Sequence, residues 1–315
     1  MVQPLFLKPV FQERIWGGTA LRDEFGYSIP SEKTGECWAI SAHPNGPSVV
    51  ENGPHAGMTL SGLWKAEPGL FGNPIEKVFP LLTKILDASM DLSVQVHPDD
   101  TYAARHENGE LGKTECWYIV DCKEGANMIY GHTASTRGEL EEKIAEGKWD
   151  ELLRRVKIKP GDFFYVPSGT IHALCEGTLV LETQQSSDTT YRVYDYNRRD
   201  DKGNLRELHL DKAIDVTTVP HEDGRNDVKS ESVTGAEITS FIQSEFFSVS
   251  KWDVKGKASF FYPETYLLAS VIEGSGTLGA DGEVYELKKG RHFIVPVGME
   301  ELTIEGDCRL IVSHP

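Results

Sequence analysis

Ile158–Gly169 reads IKPGDFFYVPSG and Leu287–Gly298 reads LKKGRHFIVPVG: each has an apolar residue, a lysine, a glycine turn, an aromatic-rich strand, then Val-Pro-x-Gly. Glycine allows the positive φ of a tight turn, and a proline ends a strand because it cannot donate to a ladder. The flanking strand patterns agree as well, so chance recurrence is the weaker explanation. The repeat implies two β-barrels of common ancestry. Aligned on it, His172 falls opposite Glu301, and the second copy has no counterpart of the Gln95-Val96-His97 segment. Metal chemistry is therefore expected in the first barrel only.

Outward from the repeat, the chain consists mostly of short strands separated by Gly, Pro and Asn/Asp, the spacing of an all-β fold with small helical insertions. Leu140, Ile144, Trp149, Leu152 and Leu153 recur at three- to four-residue intervals, which predicts a helix inserted from Thr136 to Val156. Pro98 and Asp99 open a second helix-prone run to Arg105. Thr218 to Thr239 is polar and rich in turn formers, so the domain boundary is placed there: a metal-bearing unit at 1–225 and a second barrel at 226–315.

The 315 residues, 39% hydrophobic and 26% charged, are enough for two fully folded units. A formal net charge of −17 repels phosphate backbones and anionic lipid, which argues against nucleic-acid and membrane partners. An anionic substrate then requires a local concentration of basic side chains. Five cysteines without a C-x-x-C spacing suggest neither a disulfide framework nor a zinc knuckle, and they read as buried thiols in a reducing compartment. The first residues lack the marks of a signal peptide, and no apolar run reaches membrane-spanning length, so a cytoplasmic, soluble protein is expected.

Three segments carry chemistry. In Met90–His97, MDLSVQVH, strict alternation puts Gln95 and His97 on one face. An amide oxygen and an imidazole there make a pair of metal ligands, although a strand with a solvent-facing polar side gives the same pattern. In Lys113–Val120, Glu115 shares a face with Trp117 and Ile119 and points into the core, where an ionised carboxylate needs a metal or a partner such as Lys113. In Tyr165–Leu174 the chain turns through Pro167 and Gly169 and re-enters with His172. His43, His55, His106, His132, His209 and His292 read as structural histidines; the conjunction of segments separates His172 from them. Two histidines, a carboxylate and an amide suit zinc with a position left for substrate, while the same triad also holds non-haem iron. A fourth ligand from Gln95 tilts the choice to zinc. Further on, Glu182 is placed for second-layer or proton-transfer work, and Arg192 for stabilising developing negative charge or gripping a phosphate bidentately, although a surface ion pair gives the same pattern.

Taken together, ERIWGG (13–18), TGECWAIS (34–41), FPLLTKILDASMDLSVQVHPDD (79–100), GKTECWYI (112–119), VPSGTIHAL (166–174) and LETQQSSDTTYRVYDY (181–196) resemble the type I mannose-6-phosphate isomerases in their short bacterial form. The resemblance covers essentially the whole chain. It implies two cupin-like barrels of the jelly-roll type and one Zn²⁺ per chain on Gln95, His97, Glu115 and His172. It also implies a catalytic Arg192, with Lys113 and Glu182 as its active-site lysine and acid. Where longer family members carry a His before that lysine and a Lys after the arginine, this chain has Gly112 and, roughly, Arg198, which becomes the candidate for the substrate phosphate. The implied activity is interconversion of mannose 6-phosphate and fructose 6-phosphate, by a monomer or homodimer. Its rivals are an iron-dependent cupin oxygenase and a non-catalytic sugar-phosphate-binding protein.

Overall fold

The two repeat segments fold alike in the computed structural model, which describes residues 2–200, 202–261, 265–280, 282–299 and 301–315. Gly161 and Gly290 take φ of 91° and 88°, and Gly169 and Gly298 take 84° and 92°, a region open to glycine and costly for residues with a Cβ. The hydrogen bonds match as well. Gly161 N donates to Ile119 O (2.8 Å) and Ile119 N to Asp162 O (2.9 Å); Gly290 N donates to Val271 O (2.9 Å) and Val271 N to Arg291 O (2.9 Å).

The strands form three antiparallel sheets. A six-stranded sheet runs, in spatial order, Phe163–Val166, Glu115–Cys122, Thr178–Gln185, Leu81–Ala88, Thr34–Ser41 and Val10–Gly18. A five-stranded sheet runs Tyr191–Tyr194, Val94–Val96, His172–Leu174, Asn127–His132 and Leu153–Lys157. The third, nine-stranded sheet takes all the strands from Lys229 onward and adds two from the start of the chain: Leu5–Lys8 pairs with His292–Val295 and with Val49–Val50. The fold is mostly β, as expected, but none of the three sheets closes on itself among the described residues; where the sequence implied barrels, open sheets pack face to face.

The six-stranded sheet is covered on both sides. Trp117, Ile119, Leu86 and Val180 pack with Met128, Tyr130 and Leu174 of the five-stranded sheet. The alternate residues Cys37, Ile85, Tyr118 and Leu181 pack with Val249, Leu268 and Ile311 of the nine-stranded sheet and with Phe247 just before it. A strand buried on both faces reads as a near-continuous apolar run, as LLTKILDA does.

The predicted helix from Thr136 is real but shorter. Thr136 caps it by accepting from Glu139 N, the helix spans Arg137–Ala145, and Gly147 at φ 66° interrupts it before a single turn at Trp149–Leu152. Leu153–Lys157 is strand, not helix, because the edge of Asn127–His132 offers it a ladder. Asp99 caps a helix at Asp100–His106 by accepting from Tyr102 N (2.7 Å). The hairpin of Lys229–Val233 with Ala236–Gln243 starts inside the stretch read as linker; its first strand is fully exposed, which accounts for its polar composition.

Candidate active site

Residues directly opposite one another on antiparallel strands point to the same face. His172 lies opposite Gln95, and Gln95 opposite Arg192, so three sequence-predicted residues form one row across the five-stranded sheet. Trp117, Glu182, Lys84 and Trp38 form a row across the six-stranded sheet, with Glu115 two residues before Trp117 on the same face. The rows confront each other: the rings of Trp117 and His172 meet edge to face at 5.2 Å.

Where they meet, ligand atoms of His97, Glu115 and His172 lie within 4.8 Å of one another, all three residues buried. His97 Nδ1 is 2.8 Å from Thr189 O and His172 Nδ1 is 2.9 Å from Thr170 O. A carbonyl only accepts, so both Nδ1 atoms carry the proton and both Nε2 atoms present a lone pair inward. These lone pairs face a carboxylate: His97 Nε2 is 3.5 Å from Glu115 Oε2, and His172 Nε2 is 3.2 Å from Glu115 Oε1. Glu115 Oε1 is buried without a hydrogen-bond donor. The Lys113 ammonium meets Glu115 Oε2 and His97 Nε2 but leaves Glu115 Oε1 and the His172 lone pair facing each other without a donor, and two buried imidazoles with a carboxylate are a donor set that fits a divalent metal ion. Burial, then the nearby Lys113 charge, pulls His172 down to about 3, and the same two causes hold His97 well below its ordinary value, which keeps both rings neutral as ligation requires. Gln95 Nε2 lies 3.4 Å from His172 Nε2, and a turn of the amide about its last bond puts the oxygen there instead.

Lys113 reaches the same cluster, its ammonium bonded to Glu115 Oε2 and 3.0 Å from His97 Nε2. Burial lowers its pKa, but the carboxylates of Glu115 and Glu182 more than offset this and hold it above the usual lysine value. Glu182 is raised, chiefly by burial and then by the charge of Glu115; it accepts from Trp117 Nε1 (2.8 Å) and lies 3.6 Å from Lys84 Nζ. Lys84 is also 4.0 Å from Glu36, which binds Arg14 through two nitrogens.

Gln95, Lys113, Glu182 and Arg192 line one cavity of about 370 Å³, whose wall also includes Arg14, Glu36, Lys84, Asp188 and Arg206. Arg198 is not on that wall; its three guanidinium nitrogens are bonded to Asp195 and to Asp91 O. Lys84 and Glu36 escaped the sequence reading, yet a signal existed. Each is a charged residue inside a largely apolar strand, LLTKILDA and TGECWAIS, and charges buried there need partners.

The cluster held between antiparallel sheets defines a candidate metal centre in a mostly β protein, and beyond it in the chain residues 237–315 match the family model described as mannose-6-phosphate isomerase, cupin domain. Residues 5–121 match that of phosphomannose isomerase type I, catalytic domain, and the chain belongs to the type I phosphomannose isomerase family. It is 59% identical to the mannose-6-phosphate isomerase ManA of Bacillus subtilis (strain 168) over 99% of both chains, and 52% identical to that of Streptococcus mutans over 100% of this chain and 99% of the relative. The crystal structure of a Bacillus subtilis mannose 6-phosphate isomerase superposes with a TM-score of 0.98 at 61% identity, covering 99% of each chain.

Proposed function

We propose that this protein interconverts D-mannose 6-phosphate and D-fructose 6-phosphate through an enediolate, in the cytoplasm, as a monomer or homodimer. The observation that carries the reading is the Glu115 carboxylate, its Oε1 orphaned and facing the His172 lone pair and its Oε2 facing that of His97, beside a cavity that also presents Lys113, Glu182 and Arg192. Relatives at 52% and 59% identity named for this activity supply the substrate. In this reading Gln95, His97, Glu115 and His172 hold Zn²⁺. When bound, the ion supplies Lewis acidity at the C1–C2 oxygens, worth several kcal/mol to the transition state.

The chain's own residues do the rest. Glu182, its carboxyl pKa raised by burial and by the charge of Glu115, takes and returns the proton that moves between C1 and C2. Lys113 keeps its proton and offers it to the substrate oxygen as charge develops. Arg192, in register with Gln95, faces the enediolate and stabilises its negative charge. The catalytic unit occupies 1–225 and the second cupin-like unit 226–315, with Leu5–Lys8 lent to the second unit's sheet.

Metal analysis coupled to a mannose 6-phosphate assay tests the reading. One zinc per chain, activity lost on chelation and restored by zinc, is the expected result. Full turnover by metal-free protein, or none by zinc-loaded protein, overturns it.

A further inference from the structure

The cavity's cations are not equally compensated. Arg14 gives Nε and Nη2 to the carboxylate of Glu36, and Nη1 to Glu13 O. Lys84 stands between Glu36 and Glu182, and Lys113 is paired with Glu115. The remaining two differ. Arg192 bonds only neutral groups, Ser93 Oγ at 3.3 Å and Glu207 O at 2.7 Å. Arg206 shares its single carboxylate, Asp195, with Arg198. Three guanidiniums therefore gather near one buried carboxylate, Asp195, and the exposed one of Glu207, so positive charge is in excess on this side of the cavity in a chain of net charge −17. The crowding is felt: burial first, then the charge of Arg206, lowers the pKa of Arg192.

Each nitrogen of Arg198 already has an acceptor, and the side chain is not on the cavity wall. Arg206 is bound to Asp195 by its Nε at 2.7 Å and by Nη2, which fixes the plane of the guanidinium. Among the described residues its Nη1 makes no hydrogen bond, and the side chain lines the cavity. A guanidinium held on one edge by a carboxylate and open on the other is preorganised to grip a planar or tetrahedral oxyanion.

We propose that Arg206 is the anchor for the phosphate dianion of the substrate, with Asp195 as its positioning residue, and that Arg192 is thereby left to the reacting end of the sugar. The inference rests on the isomerase reading for the identity of the phosphate's carrier, not for the existence of the anion seat. The two negative charges of the reaction are separated: the permanent one, near −2 at neutral pH, sits on Arg206, and the transient enediolate charge meets Arg192. An anchor that holds ground state and transition state alike changes KM and leaves kcat.

The test compares zinc-loaded wild type, Arg206→Gln and Arg206→Lys. In Arg206→Gln, KM for mannose 6-phosphate rises about 10- to 100-fold, the worth of one charge-assisted hydrogen bond, while kcat stays within about threefold. Arg206→Lys keeps the charge without the fork and falls between the two. Calorimetric titration with inorganic phosphate shows the same order of affinities. An unchanged phosphate affinity and KM in a folded Arg206→Gln overturns the proposal, as does a loss confined to kcat. If wild type turns over no mannose 6-phosphate but binds phosphate through Arg206, the isomerase reading fails and the anion seat stands.

Discussion

Among the residues, Arg192 and Lys84 carry opposite kinds of evidence. Arg192 lies opposite Gln95 and is bonded only to neutral atoms, so its full charge is available to the substrate. Arg192→Ala should lower kcat by about 10²- to 10³-fold, the usual cost of removing one preorganised electrostatic donor, with zinc content unchanged. Atomic absorption beside steady-state kinetics checks both halves. Lys84 is 3.6 Å from Glu182 and lowers its pKa against the upward push of burial and of Glu115. A base works ionised, so kcat/KM rises with pH through the pKa of the free enzyme's base. In Lys84→Met one lowering charge is gone, burial is less opposed, and the acid limb of the profile moves to higher pH. A limb that stays put or moves to lower pH would remove Glu182 from the role of base.

Among the elements, the segment that delivers Lys113 depends on a close approach of two backbones. Gly112 N donates to Asp100 Oδ1 (2.7 Å) and Lys113 N to Pro98 O (3.0 Å), which ties the segment to the start of the Asp100–His106 helix. A Cβ on Gly112 would lie 2.4 Å from Asp100 N and 2.5 Å from the carbonyl carbon of Asp99, both backbone atoms that cannot swing aside. Gly112→Ala should therefore cost about 1–3 kcal/mol, as overpacking does, and should lower kcat/KM by displacing Lys113. Thermal unfolding and kinetics on one preparation check the pair; an alanine variant of wild-type stability and rate contradicts the packing account. The sequence displayed Gly112 as a departure from the longer relatives, but its reason, a neighbouring helix start, lies outside any local pattern. The convergence of the candidate ligands was legible because alternation fixes which side chains share a face, and Gln95, Glu115 and His172 each lie on a strand or at its end. Arg206 was not, since it follows the strand Tyr191–Tyr194 in a segment without periodicity, and only the fold returns it to the cavity.

At the scale of the whole molecule, the sheet that carries Glu115, Glu182 and Lys84 toward the cavity carries Tyr118, Leu181 and Ile85 away from it, against the nine-stranded sheet. The nine-stranded sheet thus covers the back of the six-stranded one, and a strand with a charged front needs such an apolar backing to hold its register. The cover is fastened by the chain's own beginning. Phe6 is buried to 1% exposure, its ring 5.3 Å from Phe293 and 5.4 Å from Tyr285, while its strand bridges His292–Val295 and Val49–Val50. At the same seam Tyr27 Oη is 2.7 Å from His292 Nε2, and His292 Nδ1 is 2.9 Å from Ser270 Oγ, so a buried polar chain crosses from the first unit to the second. With a core shared between the six- and nine-stranded sheets and a strand from the start of the chain in the latter, the molecule is expected to unfold as one cooperative system. Phe6→Ala leaves a cavity in the second unit's sheet and should cost about 3–5 kcal/mol. Calorimetry of that variant should show a single transition at lower temperature, with isomerase activity disappearing along it even though Phe6 touches nothing in the catalytic cavity. Two separated transitions, with activity surviving the first, would mean that the catalytic sheet holds its shape without its cover.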